Sequence, residues 1–270
     1  MKIKIVFLSV LLVVIFLSCK KDELSVAENS EVMFLSNVLI DEQPYYQYVY
    51  NDSNLVSEES SKFDFKMHHY NAKNQLVSSD YYWNNTIPNS DVKMIETTLS
   101  QGDFITSGNG SKGATIKYEY DSNDQLTKAT YSRPSGGSEY SAFSYDENNR
   151  IDKQELYWNN IQTGYIEYLY DGRGNLIKEI LNDLPESGVA ILSTTTQYVF
   201  DNKQNPYRSF KSLMLPGINT NHNNIIKEIY TVHQDAGLWI KKVHITTNSY
   251  EYNINGYPVS KNGNITYVYN

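Results

Sequence analysis

Aromatic or aliphatic residues alternate with polar residues in several stretches of the chain. In one of them Ile116, Tyr118 and Tyr120 fall on one face, while Lys117 and Glu119 fall on the other. The same alternation occurs at 46–50, 166–170 and 265–269. A two-residue period is typical of β-strands with two different faces, and a helical period fits none of these stretches. The pattern therefore predicts β-strands along most of the chain.

Each alternating stretch ends in an aromatic residue that is followed by Asp or Asn, and Leu or Ile resumes the apolar pattern a few residues later. These anchoring aromatics are Tyr50, Tyr70, Tyr120, Tyr145, Tyr170, Phe200 and Tyr252. Their spacing fits a repeat of about 25 residues, with degenerate copies in the two long gaps. Asp, Asn, Gly and Ser favour tight turns, so each repeat predicts one β-hairpin.

The segments YYWNN at 81–85 and LYWNN at 156–160 support the same repeat. They lie 75 residues apart, which is three repeats, so both occupy the same place at the end of a return strand. Loops are expected at 84–92, 100–113, 132–138, 182–188 and 216–224. No linker divides the chain, because the repeat continues through every loop.

Tyrosine dominates the aromatic residues, with 24 Tyr against 9 Phe and 3 Trp. Tyrosine favours strands, and its hydroxyl tolerates a half-buried position. We therefore expect the tyrosines of successive hairpins to stack into a continuous stripe that forms the core.

The pattern Y-x-Y-[DN]-x-x-[GN]-x-[LI] resembles the YD repeats of RHS-type proteins. It is also similar to repeat-bearing Bacteroidetes lipoproteins of unknown function, some with a porin-like β-fold. The match is good at 115–128, 140–153 and 165–178, and poor over 85–112 and 202–245. The resemblance implies an extended antiparallel sheet and no particular reaction. We expect an all-β fold: an antiparallel meander of ~25-residue hairpin repeats, curled into a barrel-like or open superhelical sheet.

The first residues predict export. Lys2 and Lys4 precede a thirteen-residue apolar run, which has the form of a signal peptide and is shorter than the roughly 20 residues that span a bilayer. The run ends in Leu17-Ser18-Cys19, which resembles the lipobox of bacterial lipoproteins; an ordinary signal peptide is the alternative. Cys19 is the single cysteine, and two or three acyl chains on it would give stable anchoring to outer-membrane lipid.

This interpretation divides the chain into three parts: 1–18 is a lipoprotein signal peptide, 19–31 is the lipidated Cys with a polar tether, and 32–270 is a single YD-like β-repeat domain. The acidic residues after Cys19 resemble the export signal of Bacteroidetes surface lipoproteins, which implies an outer-membrane location facing the cell exterior. Removing 1–18 changes the formal charge from −8 to −10. That charge argues against a nucleic-acid partner and against a polybasic membrane-binding face.

No pattern for catalysis, a metal or a cofactor stands out, so we expect none of the three and assign no catalytic residue. The five histidines form no metal motif. The acids in the turns, such as Asp121 and Asp124, suggest calcium, but Asp also accepts hydrogen bonds from its own turn and needs no metal there.

The candidate ligand site is the repeated YWNN segment, namely Tyr82, Trp83, Asn84, Tyr157, Trp158 and Asn159. A Trp ring with neighbouring amides could stack on a sugar and bind its hydroxyls. The alternative, which the sequence favours, is that Trp caps the core and Asn-Asn forms a turn. A lipid-anchored, non-catalytic binding or scaffold protein, plausibly for glycans, is the leading interpretation. A periplasm-facing component of envelope assembly and an unrecognised polysaccharide-active enzyme are the alternatives; the sequence indicates no protein partner.

Overall fold

The computed structural model describes residues 33–83, 108, 110–134, 136–213, 215–217, 219–235 and 238–270. Cys19, the segments 1–18 and 19–31, and Asn84 lie outside the described residues. The strands are β1 (Leu35–Ile40), β2 (Gln43–Tyr50), β3 (Val56–Ser61), β4 (Asp64–Tyr70), β5 (Leu76–Trp83), β6 (Ser111–Tyr120), β7 (Leu126–Ser132), β8 (Glu139–Tyr145), β9 (Ile151–Trp158), β10 (Ile161–Tyr170), β11 (Leu176–Asp183), β12 (Ile191–Phe200), β13 (Ile225–Asp235), β14 (Leu238–Thr247), β15 (Tyr250–Tyr252), β16 (Pro258–Lys261) and β17 (Ile265–Tyr269). A 3-10 helix, Pro206–Leu213, lies between β12 and β13. None of the helices in these ranges is long and apolar enough to span a bilayer.

The 17 strands form one antiparallel sheet, which confirms the predicted meander. Strands that follow one another in the chain pair with each other except at β14 and β15, and β17 pairs with β1, so the first and last described strands are neighbours in the sheet. The described residues contain no ladder between β14 and β15, so the sheet is a curled open sheet and not a closed barrel. Asn248 and Ser249 join these two strands. Asn248 N donates to Ile226 O, and Asn262 N donates to Ser249 O.

The turns confirm the predicted role of the acidic and amide residues. Asp121 Oδ1 accepts hydrogen bonds from Asn123 N at 2.8 Å and Gln125 N at 2.9 Å. Asp121 N donates back to Gln125 O, and Asp124 has a left-handed backbone with φ of 63°. The same arrangement closes the turns that begin at Asn51, Asn71, Asp146, Asp171 and Asn253. We call this end of the sheet the turn end, and the opposite end, where β5 and β9 stop, the rim.

The anchoring tyrosines link each hairpin to the one before it. Tyr120 OH donates to Leu76 O at 2.8 Å, and Leu76 opens the return strand of the preceding hairpin. Equivalent bonds run from Tyr50 to Leu35, Tyr70 to Val56, Tyr145 to Leu126, Tyr170 to Ile151 and Tyr269 to Pro258. A satisfied hydroxyl removes the main cost of half-burying a tyrosine. Phe200 occupies the equivalent position in β12 and has no hydroxyl to donate.

The core lies on the tyrosine face, as predicted, but its packing differs from a continuous stack of tyrosine rings. Tyr118 and Tyr168 are buried, and Leu76 and Leu126 lie almost fully buried between the rings of successive hairpins. A ring that reaches a backbone carbonyl of the neighbouring hairpin must pass over the Leu side chain there. Aromatic and aliphatic side chains therefore alternate along the core.

One turn contains a long excursion, which we call the insertion, residues 205–223. At Asp201 the carboxylate accepts from Lys203 N, as in the other turns, but its second backbone donor is Asn224 N at 3.0 Å. Phe210 is buried against Tyr48, and Leu213 packs against two core clusters. The insertion therefore lies across the inner face at the turn end. The sequence predicted only a loop at 216–224 and a poor repeat match around it.

Candidate functional site

The structure places both copies of the predicted ligand segment at the rim. Trp83 is the last residue of β5 and Trp158 is the last residue of β9. Asn159 and Asn160 form a two-residue hairpin turn with φ of 48° and 64°. Asn159 Oδ1 also accepts a hydrogen bond from Ser138 N at 3.2 Å, so this amide has a structural role in the turn.

Each of these two tryptophans lies against a glycine. A Cβ added to Gly113 would come within 1.9 Å of the indole of Trp83, and one added to Gly137 would come within 2.7 Å of Trp158. A side chain at either position would require the indole to move from the place it occupies here. The tryptophans nevertheless remain 49% and 46% exposed. Half of each side chain is thus fixed against the backbone and half faces solvent.

The tyrosines of the two segments lie on the opposite face from the tryptophans, because side chains alternate along a strand. Tyr157 stacks on Tyr140, with centroids 4.5 Å apart and rings inclined by 7°, and its hydroxyl donates to Glu155. The ring centroids of Tyr82 and Phe65 lie 5.7 Å apart. The structure therefore does not bring Tyr82 together with Trp83, or Tyr157 with Trp158, on one surface. The two tryptophans are four strands apart, roughly 19 Å along the sheet at about 4.8 Å per strand.

A cavity that the sequence did not predict lies on the inner face, above the insertion. Its volume is about 360 Å³, within the range typical of small-molecule sites. Strands β2, β5 and β6 contribute tyrosine rings to its walls, which include Tyr46, Tyr81 and Tyr118. The insertion contributes Phe210 and Asn219 to its floor.

Charged groups line one side of this cavity. Glu59 Oε1 accepts a hydrogen bond from His68 Nε2 at 2.9 Å, and Lys66 Nζ lies 3.4 Å from Glu59 Oε2. His68 Nδ1 shares a hydrogen bond of 2.8 Å with Ser79 Oγ. The Lys66 side chain is 24% exposed, so this side of the cavity reaches solvent.

The pairing of Glu59 with Lys66 keeps both side chains ionised. Burial alone would raise the pKa of Glu59, but the hydrogen bond from His68 and the proximity of Lys66 outweigh it and lower that pKa. Burial alone would lower the pKa of Lys66, but the carboxylates of Glu59 and Asp64 raise it. Burial raises the pKa of Tyr46 to about 12. At neutral pH Glu59 is therefore an anion, Lys66 is a cation and Tyr46 is neutral.

Ser79, His68 and Glu59 have the residue types of a hydrolase triad, but their geometry does not fit that role. Ser79 is 0% exposed, so a substrate carbonyl cannot reach its hydroxyl. The serine also binds Nδ1 and the carboxylate binds Nε2, the reverse of the usual arrangement. We interpret the three residues as a buried network that supports the cavity wall.

One signal in the sequence could have indicated this cavity. Glu59, Lys66 and His68 fall at inward positions of β3 and β4, in register with the tyrosine face of β2. Charged residues on the face that forms the core are unusual unless they are paired or functional. Recognising them required the strand register, because β3 carries no tyrosine to mark its inner face.

The comparisons with known proteins give weak similarities in general β-architecture. No protein-family model matches the chain, and no curated protein matches it. A porin-like protein from Bacteroides uniformis is 12% identical, with 87% of this chain and 96% of that chain covered and a TM-score of 0.41. A porin-like protein from Bacteroides vulgatus is 11% identical, with 88% and 99% covered and a TM-score of 0.39. The structure of TcdB2-TccC3 is 13% identical, with 84% of this chain but 10% of that chain covered and a TM-score of 0.31.

Proposed function

We propose that this protein is a non-catalytic glycan-binding protein, held at the bacterial outer membrane by lipid on Cys19. The observation that carries the binding proposal is the pair of half-exposed tryptophans at the rim, each fixed on a glycine. Each indole packs on one side against a glycine and leaves about half of its surface open to solvent, which is the arrangement that a stacking platform requires. The apolar faces of sugar rings stack on such indoles, and no charge on the glycan is required.

The fixed position of the indoles favours binding over a purely structural role. A tryptophan that caps a core is covered on both ring faces, whereas Trp83 and Trp158 are covered on the side of Gly113 and Gly137 and remain half exposed. Because one side of each ring already packs against the backbone, ordering the ring on binding costs less conformational entropy than ordering a fully free side chain. Two platforms roughly 19 Å apart suit a chain of several sugars better than a single one.

The test is a glycan array probed with the full chain in a zwitterionic detergent, which avoids competition from sugar headgroups. Trp83→Ala and Trp158→Ala should each lower the affinity for the bound glycan by about tenfold or more, or ~1.4 kcal/mol. Ile254→Ala is the control, because Ile254 is an exposed apolar residue in a turn at the opposite end of the sheet from both tryptophans. It should leave the affinity unchanged. Unchanged glycan binding by both tryptophan variants would refute the proposal.

The lipid anchor is tested separately. Cells that express the chain and are fed a fatty acid with a clickable tag should label the wild-type protein, and Cys19→Ser should abolish the label. The variant should also leave the membrane fraction, because the acyl chains supply the membrane affinity. Protease added to intact cells should digest the wild-type protein if it faces outward. Protection until the outer membrane is permeabilised would instead support the periplasm-facing alternative.

A further inference from the structure

The insertion bounds the inner cavity on the side of the turn end. The insertion crosses that end and bonds to the anchoring tyrosines: Tyr50 OH lies 3.3 Å from Ser209 Oγ, and Tyr70 OH lies 3.3 Å from Ser212 Oγ. Further along the insertion, Asn221 Oδ1 accepts from Leu176 N at 2.7 Å. The insertion is thus attached to strands on both sides of the curled sheet. A glycan that enters from the rim therefore meets the insertion on the side of the turn end.

The cavity and the rim tryptophan Trp83 lie along the same strand, β5, and on the same face of the sheet. Tyr81 lines the cavity, and Trp83 lies two residues further along β5 on the same face. Two residues of a strand span roughly 7 Å. The register of β5 with β4 is regular there, with Lys66 opposite Tyr81 and Asp64 opposite Trp83. A chain of sugars that stacks on Trp83 can therefore place its next unit beside Tyr81.

The lining of the cavity specifies an uncharged polar ligand. Glu59 and Lys66 neutralise each other at 3.4 Å, so neither an anion nor a cation gains an unpaired partner. Phenol rings provide flat apolar surface, and the phenol hydroxyls, the Lys66 ammonium and the Asn219 amide provide hydrogen-bonding groups. A pyranose ring has this combination of apolar faces and hydroxyl edges. The volume of about 360 Å³ is sufficient for a terminal sugar unit.

From these observations we infer that the cavity binds the terminal, uncharged sugar of a glycan whose following units stack on the rim tryptophan. This inference rests on the proposed glycan-binding function and adds that the protein recognises chain ends. The insertion is then the element that determines specificity, because it forms the floor that the terminal sugar meets. Glycans without a free end are excluded from the cavity.

The inference is tested with a panel of free neutral sugars: glucose, galactose, mannose, N-acetylglucosamine, fucose and xylose. Binding to the full chain in zwitterionic detergent is measured by saturation-transfer NMR. At least one sugar should bind the wild-type protein and Trp83→Ala alike, because a single ring fits the cavity without reaching the rim. Asn219→Phe, which fills the cavity from its floor, should lower that affinity by about tenfold or more.

Asn219→Ala is the matched variant, because it removes the same amide without filling the cavity. It should lower the sugar affinity less than Asn219→Phe does, because it removes one hydrogen-bonding group and leaves the cavity open. Circular dichroism and thermal melting should show that both variants are folded. Absence of binding by every sugar, or equal binding by Asn219→Phe, would overturn the inference. If Asn219→Phe binds the array glycan normally while Trp83→Ala does not, the cavity inference fails and the proposed function stands. If no glycan binds the wild-type protein, both fail.

Discussion

The turn at Asp121 and the turn at Asp201 close in the same way, although 19 additional residues, 205–223, lie within the second. In the first, Asp121 Oδ1 accepts from backbone N–H groups two and four residues later. In the second, Asp201 Oδ1 accepts from Lys203 N and then from Asn224 N. Asn224 therefore occupies the position that Gln125 has in the regular turn. The hairpin is defined by this set of hydrogen bonds and not by a continuous stretch of sequence.

The comparison separates two roles in the molecule. The regular hairpins carry the repeated core, in which one buried Leu or Ile and one hydrogen-bonded Tyr recur in successive units. The insertion adds Phe210 and Asn219, which form the floor of the inner cavity. We conclude that the repeat maintains the sheet and that the insertion shapes the site.

The largest expected effect is the loss of stability at alkaline pH. It should unfold the regular hairpins and the insertion together. Burial raises the pKa of Tyr267 to about 12 and also raises the pKa of Tyr207 in the insertion. A phenol whose pKa is raised by folding contributes stability that is present below its unfolded value near 10 and is lost as the pH rises towards the folded value. For Tyr267 alone this amounts to about 2–3 kcal/mol at high pH.

Several buried tyrosines act in the same direction, so the total exceeds the usual stability of a domain, about 5–15 kcal/mol. A titration followed by tyrosinate absorbance and circular dichroism should show one cooperative step above pH 10. Independent ionisation of most tyrosines near pH 10, with the sheet intact, would contradict the buried positions assigned to them.

The next largest effect is expected from truncating core side chains, and it should differ between the regular hairpins and the insertion. Leu126→Ala in a regular hairpin removes a fully buried side chain and should lower the free energy of unfolding by about 2–5 kcal/mol. Leu213→Ala in the insertion removes a half-buried side chain and should cost less than half as much. Urea unfolding of the two variants measures the difference. Equal losses would mean that the insertion belongs to the core as fully as the hairpins do.

Removal of the turn carboxylate should have a smaller effect, and one that depends on the turn. Asp121→Ala leaves exposed backbone groups that water can satisfy, and should cost about 1 kcal/mol. Asp201→Ala removes the carboxylate that accepts from the side-chain amide of the buried Asn224, which keeps its bond to Gln204 O, and from the hydroxyl of Tyr252. It should cost about 2–3 kcal/mol. Thermal and urea unfolding of the pair provides the measurement. A larger loss of stability for Asp121→Ala than for Asp201→Ala would contradict this account of the two turns.

The smallest effect is expected from the tyrosine hydroxyls. Tyr120→Phe removes the bond to Leu76 O while keeping the ring, and should cost about 0.5–1.5 kcal/mol. Phe200 shows that one repeat exists without this bond. Chemical denaturation resolves a change of this size. No change in stability would indicate that the hydroxyl exchanges its partner for water at no cost.

The local part of this fold could be predicted from the sequence, because strands and turns depend on neighbouring residues. Alternation around Tyr118 predicted β6, and the Asp at 121 predicted its turn. The pairing of β17 with β1 has no local signal, since the two strands lie more than 220 residues apart. The sequence likewise does not determine whether the sheet closes into a barrel.

The candidate site could be predicted only in part, for the same reason. The repeated YWNN segment predicted that Trp83 and Trp158 end two return strands, and the structure has them there, half exposed. The glycines that hold the rings come from other strands and loops. The insertion carries no repeat pattern, and its 3-10 helix is held by long-range contacts such as Phe210 with Tyr48. The cavity above it exists only when β2 to β6 curve around that floor.

Deleting 205–223 and joining Gln204 to Asn224 tests the central claim most directly. The deletion recreates a five-residue turn from Asp201 to Asn224, and Gln204→Gly supplies the left-handed residue that Gly174 and Gly256 provide elsewhere. We expect this variant of the full chain to keep its β-sheet circular dichroism and a cooperative melt at lower temperature, and to lose binding of the neutral sugar. Loss of the cooperative melt, or retention of sugar binding, would contradict the division between a repeat that maintains the sheet and an insertion that shapes the site.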